Sequence, residues 1–176
     1  MASKYYYNRR KERWSSNLNN IDEGINATGA GDVFFPIKLC ENPGQSADSV
    51  SQQFTVKNFE IQFQMESTSP AFFDTLALYI MYVPQGMTVT KDYAKYHPEY
   101  ILGWKYFGGP DAVSNINRNP LVMKSRLSRK LNTGDQINLV IIGKHYSHIQ
   151  GEPPNTVEVQ DSIGIRGVVR WNAKAN

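Results

Sequence analysis

The spacing of apolar residues is the feature that most constrains the fold. Apolar residues recur at every second position in short runs and almost never at helical spacing for more than two turns. From Phe59 to Met65 every second residue is apolar and the residues between are Glu or Gln, which is typical of a strand with one buried face. The run Thr75–Val83 is apolar at nearly every position and is followed by Pro84, as in a strand covered on both faces. The pattern predicts an all-β chain.

Turn residues divide the chain into eight predicted strands joined by uneven loops. The predicted strands are Val33–Cys40, Phe54–Met65, Thr75–Val83, Tyr100–Phe107, Val122–Leu131, Gln136–Tyr146, Val157–Val159 and Ser162–Asn172. The connections 41–53, 84–99, 108–121 and 147–156 are longer than hairpins need. Eight antiparallel strands with such loops predict a jelly-roll sandwich of two facing sheets. An immunoglobulin-like sandwich is the competing architecture, but the paired cysteines of its antibody form are absent.

Three local signals add detail to this architecture. Pro36 cannot donate to a ladder, so its strand is expected at a sheet edge or a bulge. The residues Asn132–Asp135 read Asn-Thr-Gly-Asp and predict a tight hairpin between the strands on either side. Thr90 is a candidate N-cap for a short helical segment, Lys91–Lys95, that ends near Pro98.

Positive charge is concentrated at the N-terminus. Residues 1–13 contain five basic residues and one acidic residue, a net charge of +4, whereas the remaining 14 basic and 15 acidic residues give −1. The next segment, 14–31, is rich in Ser, Asn and Gly and has no sustained period. We therefore predict a basic N-terminal arm over 1–13, a flexible linker over 14–31 and a jelly-roll domain over 32–176.

Basic residues interleaved with aromatic residues indicate a surface for single-stranded nucleic acid, because cations pair with phosphates and rings stack on bases. In the arm the candidate contacts are Lys4, Tyr5, Arg9, Arg10, Lys11, Arg13 and Trp14. In the body, Lys124, Arg126 and Lys130 share one strand face by period two, and Arg166 and Arg170 share a face of the last strand. An ordinary solvated face is the alternative interpretation for each body strand taken alone.

Residues for catalysis or metal binding are sparse. The imidazoles are His97, His145 and His148, with no neighbouring cluster of Asp, Glu or Cys in the sequence, and Cys40 has the surroundings of a buried small residue. We therefore expect no metal, no cofactor and no enzyme activity. The longest apolar run, Leu76–Val83, is too short to cross a bilayer, so no membrane insertion is expected.

The order of segments resembles the capsid proteins of small circular single-stranded-DNA viruses, the circovirus-like or CRESS-DNA group. The resemblance covers the layout from Val33 to the C-terminus and follows a basic N-terminus. It is carried by VKNFEIQFQMES (56–67), TLALYIMYVPQGM (75–87), HPEYILGWKYFGG (97–109), SRLSRKLNTGDQINLVIIG (125–143) and GIRGVVRWNAKAN (164–176). The long Arg-rich arm of that family is largely missing here.

This resemblance implies a self-assembling coat protein with a single jelly roll. It implies an icosahedral shell of about sixty copies, an interior arm bound to single-stranded DNA, residence in the virion and assembly in the host nucleus. A satellite-type RNA virus coat also pairs a jelly roll with a short basic arm, so RNA is an alternative cargo. An extracellular jelly-roll binding module of the lectin or cytokine kind is the alternative outside the viral class.

Overall fold

A computed structural model describes residues 14–42, 53–67, 69, 72–107 and 120–175. Two antiparallel sheets carry most of the described chain. The strands are β1 (Ser15–Thr28), β2 (Gly31–Glu41), β3 (Phe54–Ser67), β4 (Phe73–Val83), β5 (Ile101–Phe107), β6 (Leu121–Ser125), β7 (Arg129–Leu131), β8 (Gln136–His145), β9 (Ile149–Gln150), β10 (Val157–Glu158) and β11 (Gln160–Ala175). One short helix, α1 (Tyr93–Tyr96), and a 3-10 turn at Pro98–Tyr100 lie between β4 and β5.

The order of strands identifies the sandwich as a jelly roll. Sheet A has the order β1-β11-β3-β6, with β7 also paired to β3, and sheet B has the order β2-β8-β4-β5. The chain crosses between the sheets after β1, β2 and β3, and it returns to sheet A for β6 and again for β11. A small β9–β10 ribbon lies between β8 and β11 in sequence. The prediction of an all-β antiparallel jelly roll is confirmed.

The core lies between the two sheets. Sheet A contributes the alternating apolar residues of β3 and β11, and sheet B contributes those of β4 and β8. Phe59, Ile61 and Phe63 on β3 are almost completely buried, as their alternation with polar residues predicts. A second apolar cluster on the outer side of sheet B contains Met81 and lies under Tyr93 of α1. The nearly continuous apolar run of β4 is therefore covered on both faces, as predicted.

The prediction of a flexible linker over 14–31 is wrong. Residues Ser15–Thr28 form β1, which pairs with β11 along its whole length. Only Ile21 and Ile25 of this strand are fully buried, because β1 is an edge strand whose outer face is wet. Two apolar residues four positions apart in a polar segment give no period-two signal, so the strand is specified by its partner rather than by its own sequence.

The turn at Asn132–Asp135 forms, but it does not make a hairpin. The Asp135 amide donates to the Asn132 carbonyl at 3.1 Å and Gly134 has φ of +79°. The turn joins β7 in sheet A to β8 in sheet B, so the two flanking strands do not pair. The Asp135 carboxylate accepts from the Asn132 amide at 2.8 Å and from the Tyr82 hydroxyl at 2.7 Å, which anchors the turn to sheet B.

Two further local predictions differ in detail from the structure. Residues 126–128 interrupt the strand predicted over Val122–Leu131, so it divides into β6 and β7. Helix α1 begins after Asp92 rather than after Thr90. Pro36 lies on β2, an edge strand of sheet B, as predicted.

Gly167 provides a test of the packing between β11 and β3. A Cβ at this position would lie 2.2 Å from the Gln62 carbonyl oxygen and 2.6 Å from the Phe63 Cα, both backbone atoms. We expect Gly167→Ala to lower the free energy of unfolding by about 2 kcal/mol or more, because the backbone must move to accept a methyl group. The measurement is urea unfolding followed by circular dichroism.

Gly24→Ala is the matched control for that substitution. Gly24 also lies within a strand of sheet A, but a Cβ there would have no atom within 4 Å. We expect this variant to unfold at the same urea concentration as the parent or slightly higher. Equal destabilisation by the two substitutions would contradict the close approach at Gly167.

Candidate nucleic-acid interface

The outward surface of sheet A, which we call the basic face, collects cations from four strands. Side chains on these strands alternate between the core and this surface. The basic residues on it are Lys57, Lys124, Lys130, Arg166, Arg170 and Lys174, and the acidic residues are Asp22, Glu60 and Glu66. Six cations against three carboxylates leave the face with a net positive charge.

Strand register brings together basic residues that are far apart in sequence. Arg170 of β11 lies opposite Glu60 of β3, which lies opposite Lys124 of β6. The Lys124 Nζ is 3.1 Å from the Glu60 Oε1. Hydrogen bonds from Gln62 and Lys124 lower the pKa of Glu60, so this carboxylate stays ionised and separates the two cations.

Arg166 lies further along β11 on the same face. Its Nε is 3.3 Å from the Asp22 Oδ1 of β1, and both side chains are more than two-thirds exposed. An ion pair this exposed contributes little to stability. The Arg166 guanidinium therefore has donors left over for a phosphate.

Trp14, the first described residue, lies beside the basic face. The Lys57 Nζ lies 3.7 Å from the centroid of the Trp14 ring, a cation–π contact. Lys57 points outward because its neighbour Val56 is buried. The chain therefore enters the described part of the molecule on the side of sheet A that carries the excess of positive charge.

A β-bulge in β3 explains why Lys57 was missed by sequence reasoning. Asn58 has φ of +56°, and the register with β11 shifts between Arg170 and Asn172. Without the bulge, alternation from buried Phe59 would turn Lys57 toward the core. Lys174 was missed for a different reason. It continues the period-two alternation of Arg166 and Arg170, but the predicted strand ended at Asn172, two residues before it.

The predicted site residues have three outcomes. Lys124, Lys130, Arg166 and Arg170 come together on the basic face. Arg126 is exposed in the gap between β6 and β7, so the prediction that it shares a strand face with Lys124 and Lys130 is wrong. Trp14 lies beside the basic face, and the arm residues Lys4, Tyr5, Arg9, Arg10, Lys11 and Arg13 lie outside the described residues.

The outward surface of sheet B has a different chemistry. Its edge strand β5 exposes Trp104 and Tyr106, at 68% and 57% of their areas. Near them the Lys91 Nζ lies 2.7 Å from the Asp32 Oδ2, which is an ion pair on this surface. We call this surface the aromatic face. The outward surface of sheet A is therefore cationic, whereas the outward surface of sheet B exposes aromatic rings beside an ion pair.

Other candidate chemical groups are engaged within the fold. Burial raises the pKa of the Cys40 thiol to about 12, so it is protonated at neutral pH. Among the described residues no group of three or more His, Cys, Asp or Glu is arranged to hold a metal ion, and no helix is long and apolar enough to cross a membrane.

Comparison with known proteins gives similarities of structure only. No sequence-family model and no curated protein sequence matches the chain. A turnip yellow mosaic virus chain matches at 12% identity and a TM-score of 0.40, covering 90% of this chain and 93% of that one. A desmodium yellow mottle tymovirus chain matches at 11% identity and a TM-score of 0.33, covering 90% of this chain and 88% of that one.

An α-amino acid ester hydrolase matches at 8% identity and a TM-score of 0.36, covering 82% of this chain and 25% of the enzyme. Similarities of this size are found for both viral and enzymatic chains. They therefore do not select a function, and the function has to be argued from the residues of this chain.

Removing cations from the basic face should weaken binding to a single-stranded oligonucleotide. For Lys130→Gln combined with Arg170→Gln we expect the slope of log affinity against log salt concentration to fall by about 1.4, since each lost phosphate contact is worth about 0.7. Fluorescence anisotropy over a series of salt concentrations measures this slope. The control is Lys38→Gln combined with Lys144→Gln, which removes two exposed cations from sheet B. An equal change in the control would show that overall charge, and not the basic face, governs binding.

Proposed function

We propose that this chain is the coat protein of a small virus, in which many copies assemble into an icosahedral shell around a single-stranded nucleic acid. The observation that carries the proposal is the segregation of charge. Cations from four strands share one outward sheet surface, and Trp14, the residue that follows the basic arm in sequence, lies beside them. A rigid sandwich with one cationic side suits a wall that faces a polyanion.

Copy number converts a modest charge into strong binding. Each arm has a net charge of +4, and the basic face adds six cations and three carboxylates. When many copies surround one polymer, each further contact is intramolecular and its effective concentration is high. Binding of this kind needs no sequence specificity, because phosphates are the partner.

The aromatic face supports self-assembly. Exposed Trp and Tyr side chains grouped on one surface are typical of protein contacts. Trp104 and Tyr106 are neighbours on one face of β5, and the nearby ion pair of Lys91 and Asp32 is satisfied internally. A second copy that covers this ion pair leaves neither of its two charges without a partner. The cationic surface of sheet A lacks this property, because two such faces repel each other.

Single-stranded DNA is the cargo that the circovirus-like resemblance favours, with residence in the virion and assembly in the host nucleus. The cations of the arm and of the basic face suit the phosphates of DNA and RNA equally. A satellite-type RNA coat protein is therefore the close alternative. Digestion of the enclosed material with DNase and RNase distinguishes the two.

A recognition module of the lectin or cytokine kind is a second candidate, and the exposed Trp104 and Tyr106 are the observation in its favour. In such a module the arm is incidental. Deleting residues 1–13 leaves its ligand binding unchanged, whereas the coat protein loses nucleic acid. The proposed role is structural rather than catalytic.

Neutralising the arm should separate packaging from assembly. We expect replacement of Arg9, Arg10, Lys11 and Arg13 with Ala to reduce the nucleic acid in purified particles several-fold, because most of the positive charge of the arm is removed. The ratio of absorbance at 260 and 280 nm, followed by extraction of nucleic acid, measures the change. Particles that carry the parental amount would contradict the role of the arm.

Replacing the aromatic side chains should block assembly. For Trp104→Ser combined with Tyr106→Ser we expect the particle peak in analytical ultracentrifugation to be replaced by small species, because the contact loses its apolar anchors. Leu18→Ser is the control, since Leu18 is 57% exposed but lies on sheet A. Sedimentation of the parent as a 20.0 kDa monomer at high concentration, with and without nucleic acid, would rule out the coat-protein proposal.

A further inference from the structure

The free edge of β1 is the longest strand edge in the described part of the sandwich that nothing protects from pairing. β1 is the last strand of sheet A, and among the described residues β11 is the only strand paired with it. That pairing runs from Ser15 to Thr28 without a register shift. Backbone groups of alternate residues point to opposite sides of a strand, so half of the amides and carbonyls of β1 face away from β11.

The edge strands β2, β5 and β6 carry features that hinder pairing with a further strand. β2 contains Pro36, and its register with β8 shifts between Lys38 and Cys40. β5 has seven residues and a register shift against β4. β6 has five residues, and the Lys105 Nζ donates to the carbonyl of its Val122 at 2.9 Å. β1 has 14 residues, no proline and no basic side chain, so it is the edge best suited to accept another strand.

The side chains along this edge on the outward surface carry no positive charge. Asp22 lies on that surface opposite Arg166, and side chains at every second position share it. The residues at these positions of β1 are Ser16, Leu18, Asn20, Asp22, Gly24, Asn26 and Thr28. A strand that pairs with this edge therefore meets neutral positions and one carboxylate. This composition suits a protein strand and not a polyanion.

The position of Trp14 argues against the arm of the same chain as the strand that fills the edge. The Trp14 ring lies over the Nζ of Lys57, and Lys57 belongs to β3. β3 is on the far side of β11 from the free edge of β1. The residue that precedes β1 is therefore directed across sheet A and away from the free edge, which favours a second copy as the partner.

We propose, on the basis of the coat-protein function above, that two copies of the chain pair their β1 strands edge to edge around a two-fold axis. An antiparallel pair of identical strands satisfies both edges at once, because each copy offers the same donors and acceptors. An axis near Asp22 and Glu23 would set carboxylates opposite their own copies, which is unfavourable. The axis therefore lies in the N-terminal half of β1, at residues 15–20.

This pairing joins two basic faces side by side in one surface. Each copy contributes the four-strand path β1-β11-β3-β6, so the joined sheet is eight strands wide. Strands are about 4.8 Å apart, so Arg166 and its counterpart in the second copy are separated by three strand spacings, at least about 14 Å. This distance exceeds the Debye length of about 8 Å at physiological salt, so repulsion across the pair is screened. The two faces can then bind one nucleic-acid strand together.

Hydrogen exchange of the full-length chain, followed by mass spectrometry of its peptides, tests the pairing without any substitution. We expect about half of the amides of 15–28 to be protected at a protein concentration that keeps copies apart, and most of them at high concentration. High salt is used throughout, because it releases bound nucleic acid and leaves backbone hydrogen bonds in place. Protection of 15–28 that does not change on association would overturn the proposal.

The same experiment shows which segment fills the edge. We expect peptides from residues 1–13 to exchange freely at both concentrations. Protection of 1–13 in step with 15–28 would identify the arm as the added strand and refute pairing between two β1 strands. Full protection of 15–28 at low concentration would refute it as well, because such protection needs no second copy.

A proline at position 20 should break the pairing. The Asn20 amide donates to the Asn19 Oδ1 at 3.1 Å, so its loss costs β11 no hydrogen bond. We expect Asn20→Pro to weaken the association of two copies about tenfold or more, because a donor is lost near the axis and the proline ring separates the strands. Analytical ultracentrifugation over a series of concentrations measures this association.

Asn26→Pro is the matched control for that substitution. Asn26 is also an exposed asparagine of β1 and has the same alternation as Asn20, but it lies outside the N-terminal half of the strand. We expect this variant to associate like the parent, and urea unfolding shows whether both variants are folded. Equal weakening by the two prolines would count against the pairing, and if Asn20→Pro does not fold the exchange of the parent decides.

The outcomes separate this inference from the coat-protein proposal. Particles of Asn20→Pro at the parental yield would refute the β1 pair and leave the coat-protein proposal standing. Parental species of two copies that never grow into particles would support the β1 pair and contradict the shell. Leu18→Ser keeps every backbone group of β1, so it remains a control for the aromatic face.

Discussion

The pairing of β11 with β1 on one side and β3 on the other is the interaction on which the rest of the molecule depends. It joins the two ends of the described chain, and every backbone group of the polar strand β1 that faces β11 finds its partner there. The same strand places Arg166 and Arg170 beside cations from β3 and β6, and the carboxylate of its second residue, Asp161, lies 2.9 Å from the buried His145. Sheet A and the basic face are thus consequences of one strand.

The two outer surfaces of the sandwich satisfy opposite requirements. Like charges on neighbouring strands repel each other, and Glu60 and Asp22 reduce this repulsion on the basic face without cancelling it. On the aromatic face Lys91 and Asp32 already pair with each other, so covering them leaves neither charge without a partner. In the coat-protein function proposed above, sheet A would meet the polyanion and sheet B would meet other copies of the chain.

Much of the fold was predictable because period-two alternation is local. Residues Phe59 to Met65 show it, and the apolar run of β4 correctly indicated cover on both faces. Strand β1 was not predictable, since Ile21 and Ile25 alone do not make a period and its stability comes from a partner more than a hundred residues away. Lys57 was missed because the bulge at Asn58 reverses the alternation, and a bulge depends on the register of two strands.

The sequence by itself determined the class of the fold and the separation of charge between arm and body, because side-chain alternation and composition are properties of the chain read in order. It also determined the tight turn at Asn132–Asp135, whose geometry is local. Only the tertiary structure decided which strands that turn connects, which cations share a surface, and that His145 meets both Gly29 and Asp161. These are contacts between residues distant in sequence, and they exist only once two sheets close over a common core.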